Sequence, residues 1–146
     1  MQATTTPLAD AIARILEKHP EIAAAWLFGS EARGEARAGS DLDIALLLRA
    51  RGKTALDCHR LLGLLAAELE SVAPGRPIDL VLLEPQGPVF CHRVLSEGSL
   101  VYDADPDRRI DFESDTYVRY FDFRPTYELA LRQVGAGMRE WLEGRR

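Results

Sequence analysis

Three aspartates stand inside stretches that are otherwise apolar and strand-like, and they restrict the fold of this chain more than any other feature. Asp41 and Asp43 flank Leu42 and lead straight into Ile44-Ala45-Leu46-Leu47-Leu48, while Asp79 interrupts Ile78-Asp79-Leu80-Val81-Leu82-Leu83. Aspartate is depleted in strands, so three such placements call for a chemical reason. Side chains two apart on a strand emerge on the same face, so Asp41 and Asp43 present paired carboxylates suited to one divalent cation. The pair Gly29-Ser30 precedes them, with ten residues between Ser30 and Asp41. The alternative is structural: Ser40 and Asp41 cap a turn, Asp43 is solvated and Asp79 lies on the surface of an edge strand. The conjunction of Gly-Ser, Asp-x-Asp and a later Asp favours the chemical reading.

A length of 146 residues with 47% hydrophobic content suits one domain closing a single core. The formal charge of −5 argues against a general nucleic-acid binder, whose affinity needs a basic face. Cys58 and Cys91 belong to no CxxC or Cys/His ligand spacing, which suggests reduced, buried thiols. Met1 to Pro7 has no basic segment followed by an apolar stretch, and no apolar run approaches the roughly 18 to 20 residues that span a bilayer. These features lead us to expect a cytoplasmic protein with no membrane association.

Thr6 and Pro7 suit the start of a helix whose stripe is Leu8, Ile12, Ile15 and Leu16, ending at Pro20. Ala23 to Phe28 reads as a short buried strand, after which Gly29-Ser30 is expected to turn into a brief helix carrying Ala32 and Arg33. A second strand is expected from Asp41. Beyond a polar turn at Ala50 to Lys53, Leu56, Leu61, Leu62, Leu65, Leu69 and Val72 recur at helical spacing toward Pro74-Gly75. Pro77 to Leu83 reads as a third strand. Val89 to Glu97 is expected to be a helix stopped by Gly98, and Ser99 to Asp103 an edge strand. From Asp107 the chain reads helical, with a break at Arg124-Pro125, because the residue before proline is disfavoured in the helical region. The order of elements implies a two- or three-layer α/β sandwich.

A nucleoside triphosphate brings several negative charges, and its reacting phosphorus must be held in line. Mg²⁺ does both, with about six oxygen ligands of which only a few are carboxylates. Asp41 and Asp43 would supply these. A second ion about 3.5–4 Å away activates the attacking hydroxyl. The 35 residues between Asp43 and Asp79 suffice for a crossover helix and return to the neighbouring strand. Asp79 is thereby the candidate third ligand and general base. Gly29 and Ser30 are candidates for holding phosphate through backbone N–H groups at a helix start. Arg33 either reaches the same triphosphate or is simply an exposed surface arginine.

On Gly29, Ser30, Ala32, Arg33, Gly34, Ser40, Asp41, Asp43 and Asp79, the chain resembles the polymerase-beta-type nucleotidyltransferase superfamily. It looks most like the minimal, single-domain members. The resemblance covers roughly residues 8 to 103, leaving a helical C-terminal extension over about 107–144. It implies a small mixed sheet flanked by helices, triphosphate binding by Gly29 and Ser30, and magnesium ligation by Asp41 and Asp43 with Asp79 completing the triad. The spacing between Ser30 and Asp41 is similar to that of MntA-like antitoxins, which transfer AMP from ATP to a tyrosine on a HEPN-domain ribonuclease toxin. Tyr117 to Pro125 also looks like the tail of such proteins. The resemblance therefore implies ATP as substrate, Mg²⁺ as cofactor and a HEPN toxin as partner. Transfer to a small molecule such as an aminoglycoside, and an antitoxin acting by occlusion alone, are the rival readings.

The aromatic tail, Tyr117, Tyr120, Phe121, Phe123, Tyr127 and Trp141, suits either packing on the sheet or partner docking, and exposure of these rings would favour docking. His19, His59 and His92 share no ligand spacing and read as structural or solvated. The basic stretch Arg49 to Lys53 reads as a solvated turn, with steering of nucleotide as the alternative.

Overall fold

The computed structural model describes residues 6–143. Helix α1 (Pro7–Leu16) begins where the Thr6 hydroxyl accepts from the Ala9 N–H at 3.1 Å, and it buries Ile12, Ile15 and Leu16. Strand β1 (Ile22–Phe28) follows, then β2 (Leu42–Leu48), α2 (His59–Glu70), β3 (Ile78–Leu82), α3 (Pro88–Glu97), β4 (Ser99–Asp103) and α4 (Pro106–Glu143). The strands form one sheet in the order β3-β2-β1-β4. β1 runs antiparallel to both β2 and β4, whereas β2 and β3 are parallel and joined through α2.

Alternation along the strands explains the layers. Leu42, Ile44, Leu46 and Leu48 of β2 pack with Ile12, Leu16, Leu65 and Leu69 of α1 and α2 on one face. Ala45 and Leu47 pack with Trp26 of β1, with Cys91, Val94 and Leu95 of α3 and with Phe112 of α4 on the other. Both faces of the central strands are thus covered, which is why they read as continuous apolar runs. The arrangement is three-layered, a small mixed sheet between helices, with the long helix at the C-terminus.

Three local expectations give way. The segment after Gly29-Ser30 is a turn, not a helix: Arg33 N–H donates to Gly29 O, Glu35 N–H to Ser30 O, and Gly34 takes a positive φ of 69°, which closes the chain after one turn. Leu56 is 87% exposed and precedes α2. The Asp57 carboxylate there accepts from both the Thr54 N–H and hydroxyl, a side-chain bond that competes with helix formation. The expected break at Arg124-Pro125 is absent, and α4 continues through Pro125. Helix formers such as Glu128, Leu129, Ala130 and Leu131 follow, and Arg124 pairs with Glu128 at 2.9 Å across the proline, which together outweigh the local preference of Pro125.

The tail divides in two. Tyr117 packs on the core and Tyr120 stacks on His92 at 3.7 Å, while Phe121, Phe123, Leu129, Leu131, Val134 and Met138 are exposed. The side chain of Trp141 and the helical residue expected at 144 lie outside the described residues. Cys58 and Cys91 are free and buried, and His19 pairs with Glu68 at 3.1 Å, tying α1 to α2. Among the described residues no helix is long and apolar enough to cross a membrane.

Candidate active site

The parallel pairing of β2 with β3 sets Asp43 directly opposite Asp79, and the antiparallel pairing of β1 with β2 sets Phe28 opposite Asp43. Cross-strand partners share a face, so all three point toward the side of the sheet covered by α3 and α4. Asp41, one residue before β2 and two before Asp43, falls on the same side. All three carboxylates anticipated from sequence thus gather where β2 and β3 begin.

Their proximity has an electrostatic consequence. Burial raises the Asp43 carboxyl above its ordinary value of 3.8, the negative charges of Asp79 and Asp41 raise it further, and a side-chain hydrogen bond with Asp79 adds to this, opposed by the positive charge of Arg33. Asp43 is the centre of an acidic cluster short of positive charge. Among the described residues no three His, Cys, Asp or Glu side chains close into a ready-made metal cage.

Gly29 adjoins this cluster. Its φ is +69°, and a Cβ placed there would fall on the Asp43 carboxylate, whose Cγ stands 3.3 Å from that position. The glycine therefore makes room for the Asp43 side chain. Ser30 is half-buried in the same turn. Arg33 is exposed and its Nε donates to Glu35 Oε2 at 3.0 Å, yet its charge reaches Asp43. Without a helix after Ser30, no helix dipole acts on an anion there, and the backbone N–H groups of the turn are what remains for that task.

One residue escaped the sequence reading. Arg76 donates from Nε to Ser40 O at 2.7 Å and from Nη2 to Asp41 O at 3.3 Å and to Glu31 Oε2 at 2.9 Å. A backbone bond from Leu42 N–H to Pro77 O at 2.8 Å reinforces the same junction. Arg76 thereby fixes the loop between β1 and β2 against the entrance of β3 and sets the backbone of Asp41. Its only trace in the sequence is its position beside Pro77, ahead of the third strand.

Other candidates lie elsewhere. Arg49 to Lys53 follow the end of β2 away from the carboxylates, where Arg49 faces Asp105 at 3.7 Å and Arg51 faces Asp111 at 3.6 Å. A cavity of about 220 Å³ near that end is lined by Arg51, Glu84, Arg108 and Arg119. Arg108 and Arg119 are neutralised there by Glu84 and Asp115.

The four-stranded mixed sheet with its flanking helices and C-terminal helix matches the polymerase-beta-like nucleotidyltransferase fold. The chain belongs to the polymerase beta, nucleotidyltransferase family, whose pattern matches residues 10–107. A toxin–antitoxin crystal structure with AMP-PNP contains a chain 25% identical, with a TM-score of 0.69 over 86% of this chain and 97% of that one. An MntA–HepT toxin–antitoxin structure matches at 23% identity and a TM-score of 0.63 over 87% of this chain and 96% of the other. A complex of tri-AMPylated Shewanella oneidensis HEPN toxin with MNT antitoxin matches at 23% identity and the same TM-score over 87% and 95%. At 23% identity these last two speak to the fold. No curated protein matches the chain.

Proposed function

We propose that this protein is a Mg²⁺-dependent adenylyltransferase that moves AMP from ATP to a hydroxyl on a partner protein, a tyrosine of a HEPN ribonuclease toxin, and so neutralises it. Residues 1–146 would act as one nucleotidyltransferase domain. The observation that carries the reading is the acidic cluster of Asp41, Asp43 and Asp79 abutting Gly29. Support for ATP comes from the AMP-PNP in a similar complex, and support for the acceptor from the AMPylated toxin in another.

The donor set fits magnesium, which is held by one or two carboxylates plus substrate phosphates and not by a closed protein cage. Asp41 and Asp43 would hold it, with Asp79 sharing a second ion. Bound there, magnesium neutralises triphosphate charge and lowers the pKa of the attacking hydroxyl. Gly29 and Ser30 present backbone N–H groups to the phosphates, and Arg33 adds a positive charge. Asp79, on the edge strand and exposed, takes the proton of the acceptor hydroxyl. The hydroxyl oxygen then bonds to the α-phosphorus as the bond to the departing pyrophosphate breaks.

The exposed apolar side chains of α4 favour a protein acceptor over a small molecule. Incubation with labelled ATP and the product of the neighbouring gene tests the proposal. Transfer of label by the wild type and none by Asp41→Ala is expected. Neutralisation that survives Asp41→Ala and Asp43→Ala would instead mean occlusion without catalysis.

A further inference from the structure

A cavity of about 200 Å³ opens beside the carboxylates on the same face of the sheet, and Gly29 and Arg33 line both it and the acidic cluster. We propose that this cavity receives the purine base of the nucleotide while the phosphates lie over Gly29 toward Asp41 and Asp43. The assignment rests on the nucleotidyltransferase reading and extends it to base recognition.

Size is the first argument. Pockets that enclose a drug-sized ligand run to about 300–1,000 Å³, so this cavity suits a ring system, with the charged remainder of a nucleotide lying outside. Continuity is the second. Phe28 is the cross-strand partner of Asp43, and its ring meets Phe90 of α3 edge to face, with centroids 5.7 Å apart and planes at 89°. A base entering here meets an aromatic wall immediately next to the catalytic strand end, and aromatic stacking tolerates any base with a π-face.

Chemistry is the third. Arg93 and Glu97 lie one turn apart on α3, both line the cavity, and neither forms an ion pair among the described residues. A guanidinium offers only donors and a carboxylate only acceptors. The two complement the edge of a purine, where ring nitrogens or a carbonyl accept and an amino group donates. With two fused rings, a purine covers more of the aromatic wall than a pyrimidine does.

Calorimetric titration in Mg²⁺ with AMP-PNP, with CTP and with inorganic tripolyphosphate tests this on the full chain. AMP-PNP is expected to bind more tightly than CTP. Phe90→Ala should weaken AMP-PNP about 5- to 150-fold, the loss of one stacked base, and leave tripolyphosphate affinity unchanged. Glu97→Gln and Arg93→Ala, on the exposed side of α3, should reduce the preference for AMP-PNP over CTP without changing thermal stability. Equal affinity of wild type and all three variants for AMP-PNP, or a parallel loss for tripolyphosphate, would overturn the assignment. So would an altered KM for the acceptor with nucleotide affinity unchanged. If these variants behave like wild type while transfer persists and Asp41→Ala abolishes it, the cavity assignment alone fails. If the wild type binds no nucleotide and transfers none, the nucleotidyltransferase reading fails with it.

Discussion

Gly29 carries two constraints at once, a left-handed backbone and contact with the Asp43 carboxylate. Alanine there costs about 1–2 kcal/mol in backbone strain and pushes Asp43 aside. Gly29→Ala is therefore expected to lower transfer about 100-fold, the effect of displacing a reacting group by roughly an ångström, with a smaller loss in thermal stability, both read on one preparation. Asp43 is the opposite case, a side chain whose charge works against the fold. Its carboxyl is held above 3.8 by burial and by Asp79 and Asp41, so the folded state binds more protons than the unfolded one. In EDTA, stability should then fall as pH rises through the folded value and level off below the unfolded one. Asp43→Asn removes this dependence and is expected to raise the metal-free denaturation midpoint at neutral pH while abolishing transfer. A variant less stable than wild type in EDTA would show that the cluster is not strained by its own charge. Asp41, Asp43 and Asp79 could be read from sequence because aspartate in an apolar strand is conspicuous. Arg76 could not, since an arginine in a turn looks like any solvated surface residue until the fold brings Ser40 and Glu31 to it.

The strands were readable because both faces of the sheet are covered and the chain is apolar along β1 and, beyond Asp43, along β2. Loops were less so, because their outcome rests on side-chain bonds such as those between Thr54 and Asp57 and on the positive φ of Gly34. Proline at 125 misled for a related reason: its local preference is one term, and the flanking helix formers and the Arg124 to Glu128 pair are others. The junction of the β1–β2 loop with β3 is the element on which the site depends. Arg76→Ala is expected to reduce transfer about 10- to 100-fold, the usual effect of losing a group that orients a metal ligand. Arg76→Lys should recover only part, since an ammonium cannot make the forked contacts to Ser40, Asp41 and Glu31. Nucleotide affinity and kcat measured on the two variants check this, and wild-type kinetics in Arg76→Ala would remove the residue from the account.

At the scale of the molecule, the sheet with its two helical layers carries the acidic cluster where β2 and β3 begin and exposed apolar side chains along the C-terminal half of α4. Phe121 is 58% exposed and Leu129 54%, a cost in water that a partner surface would relieve. Phe121→Asp with Leu129→Asp should weaken partner binding about 10-fold or more, the effect of losing a truncation-sensitive interface residue, without shifting the thermal midpoint of the isolated protein. Gel filtration with the partner and differential scanning calorimetry decide it. Adenylyl transfer is read with ATP labelled on the α-phosphorus or on the γ-phosphorus, together with Mg²⁺ and a purified HEPN protein as the proposed partner. Label from the α position is expected on a partner tyrosine, none from the γ position, and none from either with Asp41→Asn or Asp43→Asn. Label from the γ position, or equal labelling by the wild type and both variants, would contradict the assignment of these carboxylates to adenylyl transfer.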